Sequence, residues 1–191
     1  MRGADSGRRA FMAFPLARRQ APCDSIMNRH TYQRVLAIPA TPWYVGVAVD
    51  PAGRFVTKIE FLTQWVPVQE GAPTVTPFLN EIEAQIRHYF AVPQSGFSIP
   101  IVPPATSFQQ RLRQVLQTIP CGQTRSYSEV AQELASSARA VGQACRCNPV
   151  PIIVPCHRIT ARGALGGFAG QTHGTLASIK MWLLEHERHG R

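Results

Sequence analysis

The sequence predicts an α+β fold in which a small sheet-containing part precedes a mainly helical part. Residues 31–70 are rich in β-branched and aromatic residues, and are predicted to form strands on both sides of the turn Asp50-Pro51-Ala52-Gly53. From residue 107 onward, apolar residues recur three or four positions apart, which is the spacing of one helix face. Prolines concentrated in residues 91–104 separate the two patterns. Strands and helices thus occupy different stretches of the chain, as in α+β proteins.

These patterns divide the chain into three segments. Residues 31–104 are predicted to form a small N-terminal α/β domain with its linker, and residues 105–191 a helical C-terminal domain. Residues 1–30 are a basic, acid-poor extension that we predict to be disordered. An organelle transit peptide is the alternative for this extension, and Met27 is an alternative start of the chain.

Two strands and one helix are predicted in the N-terminal domain. The strands are Trp43–Val49 and Phe55–Leu62, which the turn joins into a hairpin. A lone hairpin is at best marginally stable in water, so a further element must cover its apolar face. Residues 76–90 can supply a covering helix, because Ile82, Ile86 and Phe90 recur four residues apart.

The C-terminal domain is predicted to contain four helices. Their expected bounds are Ser107–Thr118, Ser126–Leu134, Ala138–Cys147 and Leu176–His186. Ser126 and Glu129 have the spacing of a capping box, and Ser136 or Ser137 is expected to cap the third helix. A short turn joins the second and third helices, which predicts a helix-turn-helix unit.

The surface of the third helix allows two interpretations. Most of its residues are small, among them Ala138 and Gly142, while Arg139 and Arg146 are its only long cations. A helix with so little side chain can approach a narrow DNA groove, where its arginines can enter the groove or bind phosphates. Alternatively, the small residues pack tightly against a neighbouring element.

A proline-rich segment carries the residues best suited to catalysis. Three prolines, the last of them Pro155, bracket an apolar run that should pack against the core, and Cys156, His157 and Arg158 follow. Proline fixes its own φ and disfavours helical backbone at the preceding residue, so we predict a stiff, non-helical backbone at Cys156. A thiol held beside a base and a permanent cation suits a nucleophile. A buried structural cysteine is the alternative.

Charge and cysteine content limit the partners and the compartment. The net charge of +9 and the pI of about 10.1 predict an anionic partner, with nucleic acid before an anionic membrane surface. No apolar run approaches the roughly 18 residues that cross a bilayer, so no membrane association is expected. Five cysteines, an odd number, without an evident secretory signal predict free thiols. We therefore expect a cytoplasmic protein, or a nuclear one in a eukaryote, that is not secreted.

At Pro155-Cys156-His157-Arg158-Ile159 the sequence resembles the O6-alkylguanine-DNA alkyltransferases, also called methylated-DNA–protein-cysteine methyltransferases. Further motifs of this family occur in the expected order. They are Ser126-Tyr127, Arg139-Ala140-Val141-Gly142, Asn148-Pro149-Val150-Pro151 and Trp182-Leu183-Leu184-Glu185-His186-Glu187. The strong match spans about residues 107–187. It implies a ribonuclease H-like N-terminal domain and a winged-helix-like C-terminal domain.

The resemblance implies direct reversal of DNA damage. Such a protein binds duplex DNA through the minor groove, flips out O6-alkylguanine and transfers the alkyl group irreversibly to Cys156, so each molecule reacts once. Whether O4-alkylthymine is also a substrate is left open. His157, through a water, and Glu187 would draw the proton from Cys156, and Asn148 would brace the turn that holds the site. The implied partner is duplex DNA bound by a monomer, with no cofactor and no metal.

Other residues have implied roles in DNA binding and in the substrate pocket. Arg139 would fill the space that the flipped base leaves, and Tyr127 would press on the neighbouring phosphate. The remaining DNA-binding residues are Ala138, Gly142 and Arg146. Those expected to line the pocket are Arg158, Ile159, Phe168 and Ala169. Phe168 replaces the tyrosine usual in the family, which removes a pocket hydroxyl.

Other chemistries are less favoured by the sequence. A zinc site at Cys145, Cys147, Cys156 and His157 is not expected, because helix positions i and i+2 face different directions. A non-catalytic protein that recognises alkylated bases or an operator is the main alternative, and relatives of that kind replace the cysteine. A cysteine hydrolase with His157 as base ranks last, since adjacent residues on extended backbone point to opposite faces.

Overall fold

A three-stranded antiparallel sheet forms the first layer of the N-terminal domain. The computed structural model describes residues 32–69, 73–171 and 173–190, so the predicted extension at 1–30 lies outside the described residues. Strands β1 (Arg34–Ala37), β2 (Tyr44–Val49) and β3 (Val56–Leu62) lie in the order β1-β2-β3. The predicted hairpin is therefore confirmed, with one additional strand. β1 was not predicted because its four residues lack the alternation that marks a strand.

Helix α1 (Thr76–Ala91) covers the sheet, as the apolar periodicity predicted. Its buried face includes the predicted Ile82, Ile86 and Phe90, together with Leu79 and Tyr89. Pro77 lies in the first turn, where a missing backbone N–H costs no helical hydrogen bond. The sheet thus gains the apolar cover that a hairpin alone would lack.

The proline-rich segment after α1 is an extended crossing that joins the sheet. Val56 donates its N–H to the carbonyl of Pro100 at 2.9 Å, and Val102 donates to the carbonyl of Val56 at 2.9 Å. These bonds form a parallel bridge between Val56 and Ile101. Residues up to at least 102 therefore belong structurally with the sheet, and the domain boundary at 104 stays a prediction.

The described part of the C-terminal domain contains the four predicted helices. They are α2 (Ser107–Thr118), α3 (Tyr127–Glu133), α4 (Ala138–Arg146) and α5 (Thr175–His189). Ser126 and Glu129 form the predicted capping box at α3, and the Ser137 hydroxyl accepts the Ala140 N–H at α4. α5 is longer than predicted at both ends.

A short parallel strand pair connects the start of α3 to the cysteine segment. β4 (Arg125–Ser126) pairs with β5 (Ile159–Thr160), with Arg125 opposite Ile159. β4 leads directly into α3, and β5 follows directly after Cys156–Arg158. The pairing therefore holds the first residue of α3, Tyr127, beside the predicted nucleophile.

The two domains share contacts close to this segment. Ile59 in β3 donates its N–H to the Pro149 carbonyl at 2.8 Å, and the rings of Phe61 and Phe168 lie 5.8 Å apart. The imidazole of His186 stacks on Trp182 at 4.9 Å, and Trp182 meets Phe90 edge-on. No helix among the described residues has the length and apolar character to cross a membrane.

Candidate active site

Cys156 begins a short 3₁₀ helix, Cys156–Arg158. The prediction of non-helical backbone there was wrong. Proline disfavours helical backbone at the residue before it, which is Val154, whereas the residues after Pro155 remain free to turn. Pro155 itself caps the turn with φ −79° and ψ 63°. The turn directs successive side chains differently from an extended strand.

The apolar run before Cys156 is buried, as predicted, and it contains a strained turn. Val150, Ile152 and Val154 are at most 2% exposed. Ile152 has a φ of +66°, which is rare for a β-branched residue. Asn148 braces the turn, because its Oδ1 accepts the Val150 N–H at 3.2 Å and its Nδ2 donates to the Val154 carbonyl at 2.9 Å. Strain held in this way is typical of functional sites.

The Cys156 thiol is buried at the edge of a cavity of about 470 Å³. The Nδ2 group of Asn148 donates to Sγ of Cys156 at 3.1 Å, so one side chain braces the turn and contacts the sulfur. Burial raises the pKa of the Cys156 thiol, while the Asn148 hydrogen bond and the positive charge of Lys180 oppose this rise. Removal of the thiol proton therefore needs a nearby base.

His157 and Glu187 form a fully buried pair. Nε2 of His157 lies 2.8 Å from Oε1 of Glu187, and both side chains are 0% exposed. Burial lowers the pKa of His157, although Glu187 opposes the shift. Burial alone would raise the pKa of Glu187, but hydrogen bonds from His157 and Arg158 and the positive charge of Arg158 outweigh it and hold that pKa well below its usual value. The resting pair is a neutral imidazole and a carboxylate.

This pairing fixes the tautomer of His157. A carboxylate only accepts hydrogen bonds, so Nε2 must carry the proton that points at Glu187. In a neutral imidazole the other nitrogen, Nδ1, is then an unprotonated base. Among the described residues, Nδ1 is buried without a hydrogen-bond partner. His157 therefore has one nitrogen oriented by Glu187 and one with its lone pair available.

The Glu187 carboxylate accepts hydrogen bonds from residues of both domains. Arg158 donates from Nε and Nη2, each at 2.9 Å, and the Gly122 N–H donates at 3.0 Å. The hydroxyl of Tyr89, from α1 of the N-terminal domain, donates at 2.9 Å. Arg158 also donates to the Ile119 carbonyl at 2.7 Å. The carboxylate is thus held from several directions.

Two residues predicted to line the pocket lie elsewhere. The Arg158 guanidinium is directed at Glu187, and Ile159 is fully buried in β5. Neither is among the residues that line the cavity beside Cys156. The resemblance implied this lining, whereas Arg158 binds Glu187 and Ile159 packs in the core. The other two predicted pocket residues, Phe168 and Ala169, do line the cavity.

The loop after β5 and the start of α3 form further walls of the cavity. Tyr127 lines it and donates its hydroxyl to the Gly167 carbonyl at 3.1 Å. Gly166 has φ +70°, and a Cβ atom there would lie 3.0 Å from the Tyr127 ring. A glycine is therefore required by both backbone conformation and close approach. Phe168 is 4% exposed and packs on Phe61.

Helix α4 has one buried face and one exposed face, so part of it packs against neighbouring elements, and its approach to a DNA groove stays a prediction. Val141 and Cys145 are buried, whereas Arg139 and Arg146 are exposed. Ala138, Gly142 and Arg146 line the cavity, and Arg139 lies outside its lining. The predicted DNA-binding residues therefore surround the opening near Cys156, with Arg139 beside it on the first turn of α4.

Three residues of the site were missed by sequence reasoning. Lys180 in α5 is fully buried, Cys145 lines the cavity, and Tyr89 bonds Glu187. Cys145 follows Val141 by four residues, so the helical spacing could have indicated its buried face. Lys180 interrupts the apolar side of α5, and a lysine at such a position could have indicated a buried cation. The role of Tyr89 depends on domain packing, and no sequence pattern reveals it.

No cluster of three or more His, Cys, Asp or Glu residues suited to a metal ion occurs in the described ranges. Cys145 faces the cavity, whereas the Cys147 sulfur accepts a hydrogen bond from Gln143 at 3.7 Å. The two thiols thus have different surroundings, as their spacing of two residues predicted. Cys23 lies outside the described residues.

Comparisons with known proteins identify one family. The family described as "6-O-methylguanine DNA methyltransferase, DNA binding domain" matches residues 107–189. The constitutive methylated-DNA–protein-cysteine methyltransferase of Bacillus subtilis is 38% identical over 161 residues, covering 76% of this chain and 95% of the relative.

The chain belongs to the methylated-DNA–protein-cysteine methyltransferase family.

Further relatives of this family come from mycobacteria. The methylated-DNA–protein-cysteine methyltransferase of Mycobacterium tuberculosis is 46% identical over 122 residues, covering 62% of this chain and 70% of the relative. The crystal structure of the M. tuberculosis O6-methylguanine methyltransferase aligns with a TM-score of 0.64 and 30% identity over 84% of this chain and 94% of that one. M. tuberculosis OGT in complex with DNA aligns with a TM-score of 0.60 and 33% identity over 77% and 88%. The predicted family and two-part α+β fold are confirmed.

Proposed function

We propose that this protein repairs duplex DNA by transferring the alkyl group of O6-alkylguanine to Cys156, once per molecule. The observation that carries the proposal is the Cys156 thiol at a cavity wall, followed in the chain by His157, whose imidazole forms a buried pair with Glu187. Membership of the methyltransferase family and the similarity to a DNA-bound relative support it. The net charge of +9 favours a polyanionic partner.

The reaction begins with loss of the thiol proton. Nδ1 of His157 is the available base, because Nε2 donates to Glu187. It takes the proton from Cys156 through a bridging water, and Glu187 stabilises the imidazolium that results. Asn148 holds the sulfur in place with its 3.1 Å hydrogen bond. A buried thiol with a raised pKa therefore becomes a thiolate only when the base acts.

The transfer itself is a single displacement. The Cys156 thiolate attacks the alkyl carbon, a C–S bond forms, and the bond between that carbon and O6 of guanine breaks. The electron pair goes to the guanine, which takes up one proton and is left unmodified. The protein product is an S-alkylcysteine, a thioether that is a poor leaving group. Each molecule therefore reacts once.

The base must leave the duplex to reach a buried sulfur. A cavity of about 470 Å³ is within the range of small-ligand sites, and its aromatic wall offers a stacking surface. Arg139, exposed at the start of α4, fills the vacated space in the duplex. Tyr127 presses on the adjacent phosphate, and Arg146 binds the backbone beside Ala138 and Gly142, whose small size lets DNA approach.

The test is a mass measurement on the intact reaction. The protein is incubated with a duplex containing one O6-methylguanine, and the tryptic peptide bearing Cys156 is analysed. We expect a gain of one methyl group on Cys156, with the yield limited to one equivalent. Cys156→Ser is the matched control and should gain nothing. Tight lesion binding without a mass gain would indicate a non-catalytic binding protein, and turnover beyond one equivalent would indicate a hydrolase.

A further inference from the structure

Lys180 is a buried cation without a carboxylate partner. Its side chain in α5 is 0% exposed, and no Asp or Glu of the described ranges forms an ion pair with it. Lysines are almost never fully buried unless they are paired. Replacing a buried charge by an apolar residue of similar size is often neutral or stabilising. Packing alone therefore does not explain a lysine at this position.

The Lys180 ammonium connects the nucleophile segment to the cavity wall. Nζ donates to the Ile159 carbonyl at 2.6 Å and to the Gly167 carbonyl at 3.0 Å. Ile159 directly follows the 3₁₀ helix of Cys156, and Gly167 lines the cavity. The Tyr127 hydroxyl donates to the same Gly167 carbonyl, and Nζ lies 5.8 Å from the Tyr127 ring centre. One ammonium thus links the segment that carries Cys156 to the loop that lines the cavity.

The charge of Lys180 also acts on the thiols at the cavity. Its positive charge favours the thiolate forms of Cys156 and Cys145 and opposes protonation of His157. Burial lowers the pKa of Lys180 to about 8, and the two thiolates oppose that shift. Cys145, Cys156 and His157 are described titratable groups on which its charge acts, and the Tyr127 phenol lies beside it, while the nearby charges of Glu187 and Arg158 act on His157. At neutral pH the ammonium form predominates, and a thiolate at Cys156 would favour it further.

We propose that Lys180 is a positioning residue for alkyl transfer, whose ammonium stabilises the Cys156 thiolate and fixes the Gly167 carbonyl in the cavity wall. The proposal rests on the proposed function for its biological meaning. It explains how a thiol at a buried site can carry negative charge before the displacement. It also explains why a charged residue, rather than an apolar one, joins the loop at Gly167 to the segment that carries Cys156.

The test measures the thiolate directly and does not need DNA. Alkylation of Cys156 by iodoacetamide is followed against pH, and peptide-resolved mass spectrometry separates Cys156 from Cys145. Lys180→Met keeps the length of the side chain and removes its charge. We expect it to raise the pH midpoint of Cys156 alkylation by about one unit. Reaction with free O6-benzylguanine at pH 7.5 should slow about tenfold. Lys58→Met removes the only other lysine, and should leave both quantities unchanged.

A second variant separates charge from packing. Lys180→Arg retains a cation and should keep the midpoint of Cys156 near that of the wild type. If Lys180→Met lowers the melting temperature but leaves the midpoint unchanged, Lys180 has only a structural role and the proposal is overturned. If Lys180→Met does not fold, Lys180→Arg decides. A rise of about one unit in its pH midpoint of Cys156 alkylation would overturn the proposal, because the cation is retained. Failure of the wild-type protein to take a methyl group from DNA would instead overturn the proposed function. The iodoacetamide result distinguishes the two cases, because it does not depend on alkyl transfer from DNA.

Discussion

Substituting Glu187 by glutamine tests how the buried pair contributes to both stability and reaction. Glutamine at this position would keep the size of the side chain but remove the charge that faces His157 and Arg158. Removing one partner of a buried ion pair costs about 3–5 kcal/mol, because the remaining charge is left uncompensated. For a chain of this size each kcal/mol lowers the melting temperature by about 2–4 °C. We therefore expect Glu187→Gln to lower it by about 6–20 °C.

The same substitution should slow alkyl transfer. An amide does not stabilise the imidazolium of His157 as a carboxylate does, and positioned acid–base groups typically contribute a factor of about 10²–10⁴. We expect the rate with O6-benzylguanine to fall at least about 100-fold, measured at a temperature where the variant is folded. Calorimetry and single-turnover kinetics give the two quantities separately.

Glu185→Gln is the matched control, because Glu185 is exposed on the same helix. Its change in unfolding free energy should stay within about 0.5 kcal/mol, as for ordinary surface positions. A Glu187→Gln protein with the stability and rate of the control would refute the assignment of Glu187 as the group that orients His157. Loss of stability with an unchanged rate would limit Glu187 to a structural role.

Three further predictions concern DNA contact, pocket size and pH. Arg139→Ala should slow repair of duplex about 10–100-fold while leaving the reaction with free O6-benzylguanine unchanged; equal losses on both substrates would contradict the proposed role of Arg139. Cys145→Met should narrow the cavity and slow transfer of a benzyl group more than that of a methyl group, whereas Cys147→Met, outside the lining, should not. The free energy of unfolding should fall as the pH drops below about 6.5, because His157 is protonated in the unfolded state but stays neutral when buried. It should fall again below about 4.3, because the Glu187 carboxyl is protonated in the unfolded state while its folded pKa is depressed. Urea unfolding across this acidic range measures both declines, and the second should be smaller in Glu187→Gln than in the wild type.

Local signals in the sequence predicted much of the fold. α2 was predicted with its observed bounds, and the capping box at Ser126 correctly located the start of α3. Caps and apolar periodicity depend on residues a few positions apart, so they can be recognised without the fold. β1 could not be recognised, because its four residues become a strand only by pairing with β2.

The site was predictable only in part, because motifs reveal local residues whereas contacts between distant segments depend on the fold. The Pro-Cys-His-Arg motif and the closing Trp-Leu-Leu-x-His-Glu motif identified Cys156, His157 and Glu187, which the structure brings to one place. The resemblance assigned Arg158 to the pocket, whereas its guanidinium binds Glu187. Tyr89 is 98 residues from Glu187, and only the packing of α1 on α5 reveals their contact.

The most direct test of the account is the mass of the Cys156 peptide after reaction with an excess of duplex containing O6-methylguanine. We expect this peptide to gain one methyl group in nearly every molecule, the peptides bearing the other cysteines to gain none, and guanine to be restored in the DNA. A Cys156 thiol that stays unmodified and titratable after this treatment would contradict it.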